Sequence, residues 1–346
     1  MKKTVPVLIV TAFLLMLYPS DLFAMHIAEG FLPAKWSIIW SIVALPFIIV
    51  SGVSIKKAMA DHPKLKIILA MAGAFAFVLS SLKLPSVAGS SSHATGIGLG
   101  AILFGPWPMV IIGLIVLLFQ ALLLAHGGLT TLGANLFSMG IAGPFMAYFI
   151  YKALKAMKAS NSVAVFFGAA LGDLFTYVIT SIQLGLAFPA EAGLMFSVMK
   201  FMSIFAVTQI PLAIMEGLLT VVVFNIVMKN APEEMAALHF EMGKTVTGKK
   251  TLVMNLVAII ICVALVFVPF LAYHGDYTGT DDQGMEAIAE IDENYEPWFT
   301  SIFEPSSDQM EVTLFSLQTA IGAGLLGFFI GRIKRKPKQN HDNASS

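Results

Sequence analysis

Charge is what this chain has least of. Asp, Glu, Lys and Arg together make up 12% of its 346 residues, against roughly 25% in a soluble globular domain. The 21 basic and 21 acidic residues cancel, so no overall field draws in nucleic acid, and none is expected as a partner. Cysteine is nearly missing. Cys262 stands alone in an apolar run, which excludes an intramolecular disulfide and a thiolate metal cluster and makes it lipid- or helix-facing filler. A phosphate-cradling loop is missing as well. Gly243-Lys244-Thr245 has the tail of one, but Leu238 stands where its first glycine belongs. Any ATP-driven action therefore needs separate subunits. With no HExxH pair and no plausible nucleophile, a membrane enzyme is disfavoured.

Hydrophobic residues supply 57% of the chain, in repeated runs of about 20 residues, the length that crosses a bilayer. The expected fold is an all-α polytopic membrane protein. The 19 methionines are scattered through these runs and read as packing residues. Lys2 and Lys3, the apolar Val5 to Leu17 and the more polar exit to Ala24 have the form of a secretory signal peptide, 1–24. Leu22 is larger than the residue usually found two before a cut, and an uncleaved anchor helix is the alternative.

Basic residues then set the topology by the positive-inside rule. A span from about Trp36 to Ile55 ends at Lys56, Lys57, Lys64 and Lys66, which places Met25 outside. A second span, Ile67 to Leu82, returns to an outer Ser/Gly-rich loop holding His93. Thr95 to Gly105 and Met109 to Ala125 read as a short inward helix and a longer outward one, broken at Pro106-Trp107-Pro108. His126 and Asn135 are then outside again. Phe137 to Tyr151 ends at Lys152, Lys155 and Lys158; Val163 to Phe188 goes out, and Ser197 to Met228 comes back to Lys229. After a polar cytoplasmic linker, 230–250, Leu252 to Leu271 leads to an acidic outer loop with no lysine or arginine between Asp276 and Glu296. Val312 to Ile330 returns to Arg332, Lys334 and Arg335 in a cytoplasmic tail. The path needs about seven spans in the first part and two in the second. Reading the broken segment as one span would invert every later side.

This path brings together the residues with metal chemistry. A cut after Ala24 would leave Met25-His26 as the terminus. Its free amine, the His26 amide nitrogen and the His26 ring could then chelate one ion, with His93 and His126 on the same face. Nitrogen-only donors suit late first-row metals and disfavour magnesium and calcium. Each residue also has a plainer reading. A histidine in a Ser-rich loop, such as His93 beside Ser91, commonly just hydrogen-bonds. For His126, between Ala125 and Gly127-Gly128, the plainer reading is favoured. Glu29 either orients the amino-terminal segment or faces water. Asp173 and Glu216 lie within spans, where a carboxylate is costly and a functional candidate; a packing hydrogen bond to Gln209 or Gln183 is the favoured alternative.

These residues carry a resemblance. Met25-His-Ile-Ala-Glu-Gly-Phe-Leu-Pro33, Leu84-Pro-Ser-Val-Ala-Gly-Ser-Ser-Ser-His-Ala-Thr-Gly96, Gly100-Ala-Ile-Leu-Phe-Gly-Pro106, His126-Gly-Gly-Leu-Thr-Thr-Leu-Gly-Ala-Asn135 and Phe137-Ser-Met-Gly-Ile-Ala-Gly-Pro144 resemble the CbiM/NikM family. Its members are the substrate-binding membrane components of energy-coupling factor importers for cobalt and nickel. The likeness covers about Met25 to Lys229. It implies cleavage after Ala24 and a metal held by the Met25 amine, the backbone and ring nitrogens of His26, and His93. Glu29, Ser91, His126 and Asn135 would then be supporting residues. A second stretch, Glu286-Ala-Ile-Ala-Glu-Ile-Asp-Glu-Asn-Tyr-Glu-Pro-Trp-Phe299 with Leu314-Phe-Ser-Leu-Gln-Thr-Ala-Ile-Gly-Ala-Gly324, resembles the small two-span accessory CbiN and covers about 251–336, leaving 337–346 as a polar tail.

The resemblance implies a chain that binds cobalt(II), or nickel(II), as transported substrate and uses no cofactor. Its partners would be a CbiQ-like coupling protein and CbiO-like ATPase subunits in a bacterial inner membrane, feeding cobalamin synthesis. CbiN-type accessories accompany cobalt systems, so cobalt is favoured. The acidic outer loop either positions the amino-terminal loop for metal loading or serves only solubility. A self-sufficient secondary transporter with Asp173 and Glu216 as coupling acids is the runner-up, although no inverted repeat is convincing.

Overall fold

The computed structural model describes residues 26–61, 65–86, 90–240, 249–274 and 278–334. The expected leader, Met25 and the end of the tail lie outside these residues. Eleven helices and three short strands are named below in chain order: α1 Ala34–Asp61, α2 Leu65–Leu79, β1 Leu84–Pro85, β2 Ser90–Ser92, α3 Gly98–Phe104, α4 Trp107–Leu123, α5 Leu132–Ala156, α6 Asn161–Ala187, α7 Leu194–Asn230, α8 Pro232–Ala237, α9 Lys249–Ala272, β3 Thr278–Gly279, α10 Thr280–Ile291 and α11 Asp308–Lys334. Among the described residues, six helices (α1, α5, α6, α7, α9 and α11) are long and apolar enough to cross a membrane, and α2 and α4 are shorter apolar helices. The protein is a multi-pass, mostly helical membrane protein.

Helices form because inside a bilayer every backbone N–H and C=O must be satisfied within its own segment. The central three, α5, α6 and α7, bury more than half of their apolar windows, whereas α1, α9 and α11 bury less than a quarter and turn apolar faces outward. α6 and α7 make the most extensive helix contact, and α5 packs on α6. Ala147 lies close enough to α6 that a Cβ on Gly172 would sit 2.7 Å from the Ala147 Cβ. Small residues allow such close approach where lipid provides no hydrophobic push. Within α5, Leu136–Ala142 is π-helical, just before Pro144, whose missing N–H frees the register of the preceding turn.

The break near Pro106 is real, and it differs in one respect from the expected short helix. Helix α3 holds only seven residues and starts at Gly98, so Thr95 to Ile97 are non-helical. Seven residues rise about 10 Å, far short of a bilayer's hydrocarbon depth. Pro108 sits in the first turn of α4, where its missing N–H costs nothing. The Ser51 hydroxyl of α1 bonds the Trp107 carbonyl at 2.5 Å and ties the break down. The segment expected as a plain polar linker, 230–250, also differs: it contains α8. Met235 is fully buried there and Phe240 joins it against Val227 and Met228.

The accessory part packs on the rest along its length. α11 lies on α2, with Ser81 and Thr319 hydroxyls 2.8 Å apart and the Gln318 amide donating to the Phe77 carbonyl at 3.0 Å. β1 and β2 pair antiparallel, Leu84 opposite Ser92, and β3 adds parallel to β2, Ser90 opposite Thr278. The accessory strand is therefore zipped onto the strand that leads directly into His93.

Candidate metal centre

Three loops meet at one end of the bundle: the segment before α1, the β2–α3 connection and the α4–α5 connection. They bring together His26, His93 and His126. One nitrogen from each lies within 4.8 Å of the other two, and this is a group of potential metal ligands among the described residues. Ring centroids are 5.0 Å apart for His26–His93, 4.5 Å for His26–His126 and 5.3 Å for His93–His126. All three rings are buried. Gly127, at φ +71°, brings the chain so close that a Cβ there would lie 3.1 Å from the His26 Cβ. A larger residue would be strained by conformation and by contact.

The nitrogens point inward. His93 Nδ1 lies 3.0 Å from the Ala94 carbonyl, so it carries the proton and donates, leaving Nε2 as the lone-pair nitrogen. His93 Nε2 is 3.1 Å from His126 Nε2. Two nitrogens each about 2.05 Å from one ion stand about 2.9 Å apart at a right angle and about 3.3 Å apart at the tetrahedral angle. The observed separation falls between these. His26 Nε2 is buried without a hydrogen-bond partner. Burial is the main reason that all three imidazoles are held below the usual histidine range, His93 at about 4, with mutual repulsion adding to it for His26 and His126. Neutral imidazoles are the form that binds metal.

The surrounding residues fix the loops. Asn135 clamps the backbone beside His26: its Oδ1 accepts from the Ile27 amide and its Nδ2 donates to the Ile27 carbonyl, both at 3.0 Å, and Thr131 Oγ1 adds a bond to the same carbonyl at 2.7 Å. Glu29 is buried rather than facing water, and accepts from the amides of Leu129 and Thr130 at 2.6 and 2.8 Å and from the Thr130 hydroxyl. These contacts bridge about a hundred residues and lock the His26 loop to the His126 loop. The Ser91 carbonyl accepts from Thr280 Oγ1 at 2.9 Å. Met25 lies outside the described residues.

Asp173 and Glu216 do not join the histidines. Glu216 Oε2 accepts from the Thr95 amide, the Thr95 hydroxyl and the Gly96 amide at 2.8, 3.0 and 2.9 Å, and Asp173 Oδ1 accepts from the Thr95 amide at 3.1 Å. They satisfy the irregular backbone just after His93, which would otherwise leave donors bare in an apolar interior. Glu216→Ala is expected to leave the Thr95 hydroxyl and the Gly96 amide without their acceptor, the Thr95 amide keeping Asp173, each at a cost of about 1–3 kcal/mol, and so to lower both the melting temperature and metal affinity, while Glu216→Gln, which retains an acceptor oxygen, recovers most of both. If alanine changed neither, the clasp would be dismissed. If glutamine blocked uptake as fully as alanine while metal still bound, ion coupling would be the better account.

Gln209, expected as a partner for the acids, donates to Ser92 Oγ at 2.6 Å instead, and Gln183 to the Ala134 carbonyl at 3.0 Å. Several contributors escape a reading of the sequence. Tyr177 donates to the His93 carbonyl at 3.1 Å. From the accessory part, Tyr295 donates to the Gly30 carbonyl at 3.1 Å and Trp298 Nε1 to the Leu32 carbonyl at 2.8 Å. Nothing local marks these residues, apart from the aromatic Tyr-Glu-Pro-Trp-Phe run in the acidic loop. A cavity opens on His26 between Thr180 and Leu184 of α6, Phe205 of α7, and Gly284, Met285 and Ile288 of α10, so the accessory helix forms one wall of the approach.

Comparison with known proteins adds the following. Residues 26–234 match the family profile described as cobalt uptake substrate-specific transmembrane region. Residues 249–343 match that of the cobalt transport protein component CbiN. A cobalt transport protein CbiM of Acetohalobium arabaticum is 55% identical over 71% of this chain and 99% of its own length. That of Chlorobium limicola is 60% identical over 64% of this chain and 87% of its own. A crystal structure of a truncated transition metal transporter, 28% identical, superposes with a TM-score of 0.51 over 59% of this chain and 99% of its own.

Proposed function

The chain belongs to the family of cobalt uptake substrate-specific transmembrane regions, with a CbiN component following in the same polypeptide, and on that premise we propose that it captures cobalt(II) from outside the cell as the substrate-specific subunit of an energy-coupling factor importer. The observation that carries this reading is the buried convergence of His26, His93 and His126. After a cut behind Ala24, the Met25 amine and the His26 amide nitrogen would add to the ring nitrogens. Met25, His26 and His93 are then the ligands, with His126 within reach as a further one, and Glu29, Asn135 and the Ser91 strand as support.

Sidedness follows from charge. The histidine cluster lies at the start of α5, whose far end carries Lys152 and Lys155, and α7 likewise runs toward Lys229. By the positive-inside rule the lysine ends are cytoplasmic. The broken segment α3–α4 starts and ends at the histidine face, since His93 and His126 meet there, which supports the assigned sense of the later helices and a cytoplasmic end for α11. In this arrangement 1–24 is the leader, 25–229 the metal-binding part, 230–250 the linker, 251–336 the accessory part and 337–346 the tail. With no nucleotide loop in the chain, a CbiQ-like coupling protein and CbiO-like ATPases would drive release inward, toward cobalamin synthesis.

The donor set serves nickel(II) equally well; the CbiN component is what favours cobalt. A secondary transporter is less well supported, because Asp173 and Glu216 are engaged by backbone donors. Amino-terminal sequencing of the purified chain with metal analysis tests the proposal. The expected result is a sequence beginning Met-His and bound cobalt. An intact or blocked Met1 would remove the amine from the ligand set, and cobalt uptake that persists without ATPase partners would end the importer reading.

A further inference from the structure

Gln120 is a buried amide with one end tied and the other free. It stands in the last turn of α4 and is fully buried. Its backbone carbonyl accepts from the His126 amide at 3.2 Å, so it belongs to the histidine face. Its Nε2 donates to the Ser80 carbonyl at 2.9 Å and to the Ser80 hydroxyl at 3.2 Å. A carbonyl can only accept, so the NH2 end of the amide must face Ser80. The oxygen is the free end: Oε1 is buried and has no hydrogen-bond partner. His26 Nε2 is in the same condition. Buried polar atoms are seldom left this way, and each one calls for an explanation. The Gln120 side chain also stands beside the His26 ring. Burial and then the His93 ring hold His26 neutral, and Gln120 opposes them, as a nearby acceptor does.

The chelate decides which nitrogen of this ring must be bare. An ion held by the His26 amide nitrogen can close a small ring with the same residue only through Nδ1, because Nε2 lies on the far side of the imidazole from the backbone. Nδ1 then needs its lone pair, and Nε2 carries the proton. We propose that Gln120 is a positioning residue: its Oε1 accepts the Nε2–H of His26 and so fixes the tautomer that leaves Nδ1 free for the metal. A bond of this kind also holds the ring plane in place and makes the opposite nitrogen a better donor. His93 shows the mirror arrangement, in which the Ala94 carbonyl takes Nδ1–H and leaves Nε2 bare. The two rings need opposite tautomers, and in this reading each has its own acceptor.

The inference rests on the metal reading above, but its first test needs no metal. Carbon and nitrogen NMR of the full chain, with its histidine rings labelled, reports the tautomer of each neutral imidazole. The His26 signal is the one lost in His26→Asn. In the metal-free parent it is expected as the Nε2–H form, and in Gln120→Leu it should become a mixture of the two tautomers or shift to Nδ1–H. Titrated with cobalt(II) alone, Gln120→Leu should bind about 10–100-fold more weakly than the parent, the range for a residue that orients a ligand. His26 found as Nδ1–H in the parent would overturn the proposal. So would unchanged cobalt affinity in Gln120→Leu, or a loss of affinity with His26 still wholly Nε2–H, since Gln120 would then act on the metal or on the His126 loop and not through the ring. Should Gln120→Leu fail to fold, the parent spectrum decides alone: Nδ1–H ends the idea, and Nε2–H supports it. His93→Ala is the separate control. If it binds cobalt as the parent does, the metal reading itself has failed, whatever tautomer His26 shows.

Discussion

His93→Ala is expected to weaken cobalt(II) binding by about a thousandfold, or ~4 kcal/mol at 1.4 kcal/mol per decade, and to abolish uptake at trace cobalt. The ring it removes is fully buried, and its Nε2 is aimed at the cluster by the Nδ1 bond to Ala94. No neighbouring side chain can replace that nitrogen without moving a loop. The chain around it stays anchored through bonds that alanine keeps: Tyr177 to the residue 93 carbonyl, and Thr95 and Gly96 to Glu216. The variant should therefore fold and fail to bind, a combination that calorimetry with a melting curve would separate from unfolding. His126→Ala distinguishes two readings of the third ring. If His126 is a direct ligand, its loss should approach that of His93; if it only orients the loop, the loss should be about 10–100-fold, the usual range for a supporting residue. Full cobalt affinity in His93→Ala would remove the cluster from the mechanism.

Removing residues 276–304 is expected to lower cobalt uptake by roughly tenfold or more, as a loss of at least ~1.4 kcal/mol in the competent arrangement would do, even though α9 and α11 remain. The segment contributes a strand to β2, a Thr280 bond to Ser91, and the Tyr295 and Trp298 bonds to Gly30 and Leu32. These contacts hold both sides of the site: the strand that delivers His93 and the loop that delivers His26. Each net hydrogen bond is worth only about 1 kcal/mol, yet together they restrict two loops at once from the accessory side. Gly30→Val probes the same contact with one residue. Gly30 has φ +73°, and a Cβ there would lie 2.1 Å from the Phe299 carbonyl oxygen, so valine must push the accessory segment off. Uptake unchanged by the deletion would leave the segment no part in loading and confine its acids to solubility.

What could be read along the chain and what could not follow from the range of the forces involved. Long apolar runs reveal helices because hydrophobicity is local, and Pro106-Trp107-Pro108 reveals a break because proline removes a donor wherever it stands. The separation of histidines from lysines gave the candidate face for the same reason: basic residues mark helix ends one at a time. The start of α3 at Gly98 rather than near Thr95 was not legible, because Thr95 to Ile97 are held out of a helix by carboxylates 78 and 121 residues away. Glu216 reads as a costly intramembrane acid until its three donors are seen. The π-helical turn before Pro144 and the small helix in the linker left no periodic mark.

Composition and order along the chain were thus enough for a polytopic helical membrane protein, for His26 and His93 as candidate metal donors, and for a second, acidic unit behind the first. Only the packed structure could bring His126 Nε2 to 3.1 Å from His93, turn Asp173 and Glu216 into a clasp on bare amides, lay β3 against β2, and set Glu311 on Lys83. The physical reason is the same in each case. A hydrogen bond or ion pair is made at about 3 Å, between residues that lie from 33 to more than 200 positions apart in these examples. Hydrophobic patterning states which segments are buried. It carries no record of which buried polar groups will find each other once loop closure has brought them together.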